Sequence, residues 1–139
     1  MSAGWRRAPA PSLDEFDALA RRAFDALPAE FRKLTGNVVI HVADEAERDI
    51  LDTMGISDPL ELSGLFEGVA ITESGVSDPY ALPNHVHLYR RSILDEWRTR
   101  GDISLEALVT HVLVHEIGHH FGLSDADMHR IEELAGEDS

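Results

Sequence analysis

No cysteine occurs in the 139 residues, so disulfide frameworks, thiolate zinc sites and thiol nucleophiles are excluded. Basic residues are scarce as well: 12 Lys and Arg stand against 26 Asp and Glu, a formal charge of −14. Nucleic acid is therefore not an expected partner, because phosphate contacts need a clustered excess of positive charge. Long apolar runs are missing too. The longest, around 105–114, is interrupted by Glu106, Thr110 and His111 and falls short of the roughly 18 residues of a membrane span. The first residues hold Arg6 and Arg7 but no apolar stretch after them, and Pro9, Pro11, Asp14 and Glu15 spoil a twin-arginine export signal. A cytoplasmic monomer without a membrane partner is expected, with a disordered leader over 1–11 and one domain over 12–139. Hydrophobic residues, at 43%, suffice for one core. What is plentiful is histidine, with 8 residues.

Along the chain, Ser12 with Glu15 forms a capping box, and Leu13, Phe16, Leu19, Ala20, Ala23, Phe24 and Leu27 recur at helical spacing up to Pro28. Phe31 and Leu34 read as a turn closed by Gly36-Asn37. Val38 to Val42 is a β-branched run of the buried-strand kind, and a weaker helical pattern covers Ala43 to Met54. Pro59 to Gly64 reads as loop, and Leu65 to Thr72 as a strand that Gly68 could bulge. Glu73 to Asn84 is a loop long enough to be functional. His85 to Tyr89 alternates as a strand, and Arg90 to Arg100 is a charged helical segment. Ser104 caps a helix with an apolar stripe of Leu105, Leu108, Val109, Val112, Leu113 and Ile117, ending at Gly122. Ser124 starts another helix, with Asp127 at the capping-box position. The fold class expected is α+β, with helices on a small sheet.

Within the clearest helix stands His115-Glu116-Ile117-Gly118-His119, the HExxH pattern. Four residues at about 100° each turn through about 400°, so both imidazoles leave one face roughly 6 Å apart. That spacing lets both bind one tetrahedral Zn²⁺, with Glu116 able to reach a water in the open position and act as general base. The run continues through Gly122 to Asp125, giving HExxHxxGxxD, which random placement yields only about 3 times in 10,000. Gly122 lets the chain break from the helix, and Ser124 pins Asp125 in the first turn of the next. His115, His119 and Asp125 are thus the expected metal ligands, with water as the fourth.

With these residues in view, the sequence resembles the zincin-like metallopeptidases, and more closely a small bacterial family of minimal zincins first catalogued as a domain of unknown function. The likeness runs through Leu27-Pro28-Ala29-Glu30-Phe31, Asp44-Glu45, Leu65 to Val69, Leu88-Tyr89-Arg90 and the specific segment Val114 to Asp125. It implies a compact zincin core, with a small mixed sheet packed against an active-site helix and flanking helices. It also implies one Zn²⁺ on His115, His119 and Asp125, Glu116 as base, and a peptide or protein substrate. The methionine turn of the metzincins has no counterpart here, since Met128 lies too close to Asp125 and belongs in the core.

Other residues take plainer readings. His120 lies about 140° round the helix from His115 and should pack. His111, one turn before His115 on the metal side, is expected to make a partly buried polar contact. His85 and His87 share a strand face but lack an evident third ligand. Tyr80 and Tyr89 could stabilise an oxyanion, although a structural role is the simpler expectation. Arg90, Arg91, Arg98 and Arg100 read as a solvated face. The leading function is zinc-dependent peptide hydrolysis, with an extended peptide lying along Leu65–Thr72. One alternative is a non-catalytic zinc module acting through protein–protein contact, and another is an enzyme restricted to one partner protein.

Overall fold

The computed structural model describes residues 10–67 and 84–137. Six α-helices and three strands lie among them: α1 (Leu13–Asp25), α2 (Ala29–Thr35), β1 (Val38–Ala43), α3 (Arg48–Met54), β2 (Gly64–Glu67), β3 (Asn84–Tyr89), α4 (Arg90–Arg100), α5 (Leu105–His120) and α6 (Asp125–Glu137). The class is α+β, as the sequence implies.

The strands form one mixed sheet in the order β1-β3-β2. β1 and β3 run parallel, from Val38 opposite Asn84 to Ala43 opposite Tyr89, while β2 runs antiparallel to β3 with Gly64 opposite Leu88. Alternation along the strands sends Ile40, Val86 and Leu88 to one face, where they join Phe16, Ala20 and Ala23 of α1 and Leu108, Leu113 and Ile117 of α5 in the main core. The other face is covered, among the described residues, at one end. There Ala43, Leu65 and Tyr89 meet Leu51 of α3 and Leu62 in a small second cluster.

The α1 capping box is present: Ser12 N–H donates to Glu15 Oε1 at 2.9 Å, and Glu15 N–H donates to Ser12 Oγ at 3.1 Å. Three elements differ from the sequence reading. Pro28, which ends α1, also opens α2, so the expected turn through Phe31 and Leu34 is a two-turn helix. α3 starts at Arg48 and not at Ala43, because the preceding acids are engaged elsewhere. Asp44 pairs with Arg90 at 2.9 Å, Glu45 pairs with Arg91, and the Asp44 carbonyl accepts the Arg91 N–H. The stretch read as loop holds a 3-10 turn at Pro59–Glu61, capped by Asp58, and Gly64 already belongs to β2. The strand expected beyond Glu67, the Gly68 bulge, the loop with Tyr80 and residues 1–9 of the leader lie outside the described residues. Pro11, at the leader's end, has its carbonyl held by Arg90 Nε at 2.8 Å.

α5 packs against α1, α6, β2, α4 and β3. Leu108, Val109, Leu113, Val114 and Ile117 are fully buried, leaving a narrow strip for polar side chains. Its end is a Schellman motif: Gly122 N–H donates to the His119 carbonyl and Leu123 N–H to that of Gly118, with Gly122 at φ 75°. Ser124 and Asp127 then form a second capping box that launches α6 back along α5. Gly118 sets how closely the two helices pack. A Cβ there would stand 2.7 Å from Sδ of Met128, which is fully buried.

Candidate metal centre

His111, His115 and His119 stand at successive turns of α5, so they form a ladder along one helix face. The rings of His111 and His115 have centroids 4.0 Å apart, and those of His115 and His119 are 5.8 Å apart. Opposite the first two stands Glu132 of α6. Its Oε1 lies 2.7 Å from His111 Nδ1 and its Oε2 lies 3.3 Å from His115 Nε2. Among the described residues, His111, His115 and Glu132 form the one group of three whose ligand atoms all lie within 4.8 Å of each other.

Glu132 escaped the sequence reading, yet a signal for it exists. Once Ser124 fixes the phase of α6, Met128, Glu132 and Ala135 fall on one stripe, and Met128 and Ala135 are buried against the core. A carboxylate in the middle of an apolar stripe needs a partner, and here two imidazoles provide it. His111 makes the polar contact expected of it and also completes the group.

Asp125 is the first residue of α6 and is exposed, just past the Gly122 turn; as the side chains stand it does not join that group. His119, in the last turn of α5, is exposed as well. Phe66 of β2 lies against His120 in a tilted contact, ring centroids 4.4 Å apart, so His120 packs as expected.

Glu116 leaves α5 on the side of the sheet. It is half-buried, and a Cβ on Gly64 would lie 3.1 Å from its Cγ, so the bare backbone of Gly64 is what admits the side chain against β2. Burial pushes the Glu116 carboxyl above the ordinary carboxylate range, while the charge of His119 pulls it back. A base held against desolvation in this way keeps a greater appetite for a proton than a free carboxylate. Tyr89 is buried in the second cluster, which fits a structural role; burial first, then the charges of Glu67, Glu47 and Glu116, raise its phenol above the ordinary value. Arg90 and Arg91 are spent on Asp44 and Glu45, and Arg100 reaches Glu96 and Asp102 at 3.6 Å.

The donor chemistry suits zinc, which takes imidazole nitrogen and carboxylate oxygen readily and keeps a position for water when the protein supplies three ligands. β2, whose Gly64 touches Glu116, is an edge strand of the sheet over its described length. No helix among the described residues is long and apolar enough to cross a membrane. No curated protein matches the chain. The sequence profile of one family does match, over residues 35–134, from the residue before Gly36 to two residues past Glu132. That span takes in the whole sheet, the α5 ladder, Glu116, Asp125 and Glu132, and the chain belongs to the zincin-like metallopeptidase family.

Proposed function

We propose that the protein is a zinc-dependent peptidase in which His115, His119 and Asp125 hold one ion and Glu116 is the general base. The observation that carries this reading is the division of labour between neighbouring residues of α5. His115 faces the carboxylate of α6, while Glu116 faces the sheet edge and is half-buried. When bound, zinc supplies Lewis acidity and brings the pKa of its water towards roughly 7. Glu116 then accepts a proton at its carboxylate and hands it to the leaving amine, a role its burial favours. β2 offers an extended substrate a strand edge, unpaired among the described residues, beside that carboxylate, which suits a peptide better than a compact small molecule. Charge works in the same direction, since the acidic chain attracts a divalent cation.

A second ligand set is favoured by one distance. His115 Nε2 and Glu132 Oε2 are 3.3 Å apart, which is about the edge of a tetrahedron whose ligands lie roughly 2.0–2.1 Å from zinc. In that set Glu132 replaces Asp125 as the carboxylate, and His111 stands ready beside it.

Metal analysis of dialysed protein separates the two. Asp125→Asn empties the first set and leaves the second filled, whereas Glu132→Gln does the reverse. The mechanism is tested by Glu116→Gln, which should keep its metal and lose turnover by about 10²–10⁴-fold. Undiminished turnover in that variant overturns the role of Glu116. Four protein ligands with no turnover on any peptide would establish a non-catalytic zinc module instead.

A further inference from the structure

We infer that the face of the sheet away from α5 carries a second transition-metal site, built on His41 and His85 with His87 and Glu67 beside them. It would take a divalent ion that prefers right-angled ligands, Cu²⁺ or Ni²⁺. This site is separate from the α5 ladder, because α5 packs on the other face of the sheet.

The register brings these residues together. His41 of β1 is directly opposite His87 of β3, and His85 is directly opposite Glu67 of β2. His85 and His87 stand two residues apart on one strand, about 6.6 Å along it, and point to the same side. Three imidazoles and a carboxylate therefore occupy two adjacent rows of one face. The third row on that side, Ala43 and Tyr89, is covered by the second cluster, which also takes in Leu65 opposite His87, while His41 stays exposed among the described residues.

The shortest contact within the group is a hydrogen bond between two imidazoles, which an ion bound to both would replace. His41 Nε2 and His85 Nδ1 are 2.8 Å apart. Two ligands about 2.05 Å from an ion are roughly 2.9 Å apart when they subtend a right angle, and about 3.3 Å apart in a tetrahedron. The pair thus matches the cis positions of a square-planar or octahedral set, each ring turning to aim its lone pair at the ion. His87 lies stacked on His41, with centroids 4.7 Å apart and planes within 15°. Its Nε2 is buried and finds no hydrogen-bond partner among the described residues. Glu67 Oε1 comes within 3.2 Å of that nitrogen, but off the line a hydrogen bond needs. A buried nitrogen with an unused lone pair is costly, and an ion or its bound water beside His87 would satisfy it. Arg21, fixed by Asp17 at 3.0 Å and reaching the Ile40 carbonyl at 3.4 Å, is the nearest opposing charge. Glu67 offsets it from the other side of the cluster.

The test is copper binding to the full chain after metal removal, followed by calorimetry and by the nitrogen hyperfine pattern in electron paramagnetic resonance. A His115→Ala/His119→Ala chain should still bind one Cu²⁺ with nitrogen ligation. A His41→Ala/His85→Ala chain should lose that equivalent, with binding weakened by at least about tenfold, and keep its affinity for zinc on α5. His41→Gln/His85→Gln, which keeps polar side chains on the strand face, should behave the same way. His87→Ala should weaken copper less than either double change. The inference is overturned if the His41/His85 variants bind copper as the unaltered chain does, or if the His115/His119 variant binds none. A wild-type dissociation constant weaker than about 10 μM overturns it as well. Because the readout is copper on the sheet, loss of peptidase activity or of zinc on α5 leaves it untouched.

Discussion

Two groups of three histidines can be compared in this molecule, one on a helix and one on a sheet. On α5, proximity follows from spacing alone: His111, His115 and His119 are four residues apart, and any helix there aligns them. On the sheet, His41 meets His85 across 44 residues of sequence, through a parallel pairing that no local pattern announces. Each group also has one glutamate from a neighbouring element, Glu132 of α6 and Glu67 of β2. The shortest contacts are alike, 2.7 Å between His111 and Glu132 and 2.8 Å between His41 and His85, whereas His115 and Glu132 stand 3.3 Å apart. Of these, the 3.3 Å spacing of His115 and Glu132 is the one that suits two ligands of a tetrahedral ion. Similar residues are thus gathered by two different routes, helical periodicity in one group and strand register in the other.

The strongest way to break the symmetry between the groups is to push α6 off α5. In Gly118→Ala the new methyl would stand 2.7 Å from Met128 Sδ and 2.9 Å from its Cγ. Met128 is fully buried and has little room to retreat. Overpacking of this kind costs about 1–3 kcal/mol, and the better helix propensity of alanine offsets up to about 1 kcal/mol. A net loss of about 1–2 kcal/mol in urea denaturation is expected, with weaker zinc binding because Glu132 and Asp125 both ride on α6. Copper binding on the sheet should be unchanged. A more stable variant, or equal loss at both groups, would show that the helix contact is not what holds the α5 group together.

Gly64 is where the two regions meet, and its effect should be smaller and mainly on rate. A methyl there would lie 3.1 Å from Glu116 Cγ, 3.1 Å from the His87 carbonyl oxygen and 3.2 Å from Val112 Cγ1. Each neighbour must give by a few tenths of an ångström, and the Glu116 side chain is the freest to move. Gly64→Ala should therefore keep zinc but lower kcat/KM on a peptide substrate by about tenfold, since the base is displaced from its working position. Full activity would mean that Glu116 does not need the bare strand beside it.

How much of this was legible in the sequence follows the same division. The α5 helix, its Gly122 ending, the Ser124–Asp127 box and the HExxH face could be read directly, because each depends on residues within about one turn of each other. The Ser12–Glu15 box was legible for the same reason. The strands at Val38 and His85 could be read as strands, but not that they pair in parallel with β2 on the far side of β3. Sheet order is settled by which faces bury most surface, and that is a property of the whole chain. Hence the His41–His85 contact was invisible, because it joins strands whose pairing no window of sequence contains; Glu132 stands out in its own helix as a carboxylate on an apolar stripe, but its histidine partners do not follow from that. α3 was misjudged at its start for a related reason, since Asp44 and Glu45 prefer Arg90 and Arg91, 46 residues on, to a place in a helix.

The smallest expected effect supplies a control for both groups, because α1 packs on α5 and on β1 alike. The Ser12 backbone N–H, and then its hydroxyl, hold the Glu15 carboxyl below the ordinary glutamate range. A carboxyl whose pKa is lower in the folded chain binds its proton more tightly when unfolded. Its stabilising contribution is therefore present above the ordinary glutamate pKa and lost as the pH falls through the folded value. Glu15→Gln removes that dependence while leaving an oxygen for the Ser12 N–H. The melting-temperature gap between the unaltered chain and Glu15→Gln should be open at neutral pH and close towards pH 3, with other carboxyl groups cancelling in the difference. A gap that stays constant with pH would mean the capping box acts through hydrogen bonding alone. Zinc and copper affinities at neutral pH should be unchanged in this variant. If both fell together, then losses seen in Gly118→Ala would reflect general loosening of the fold, and the contrast between helix and sheet would have to rest on copper and zinc measured in the histidine variants.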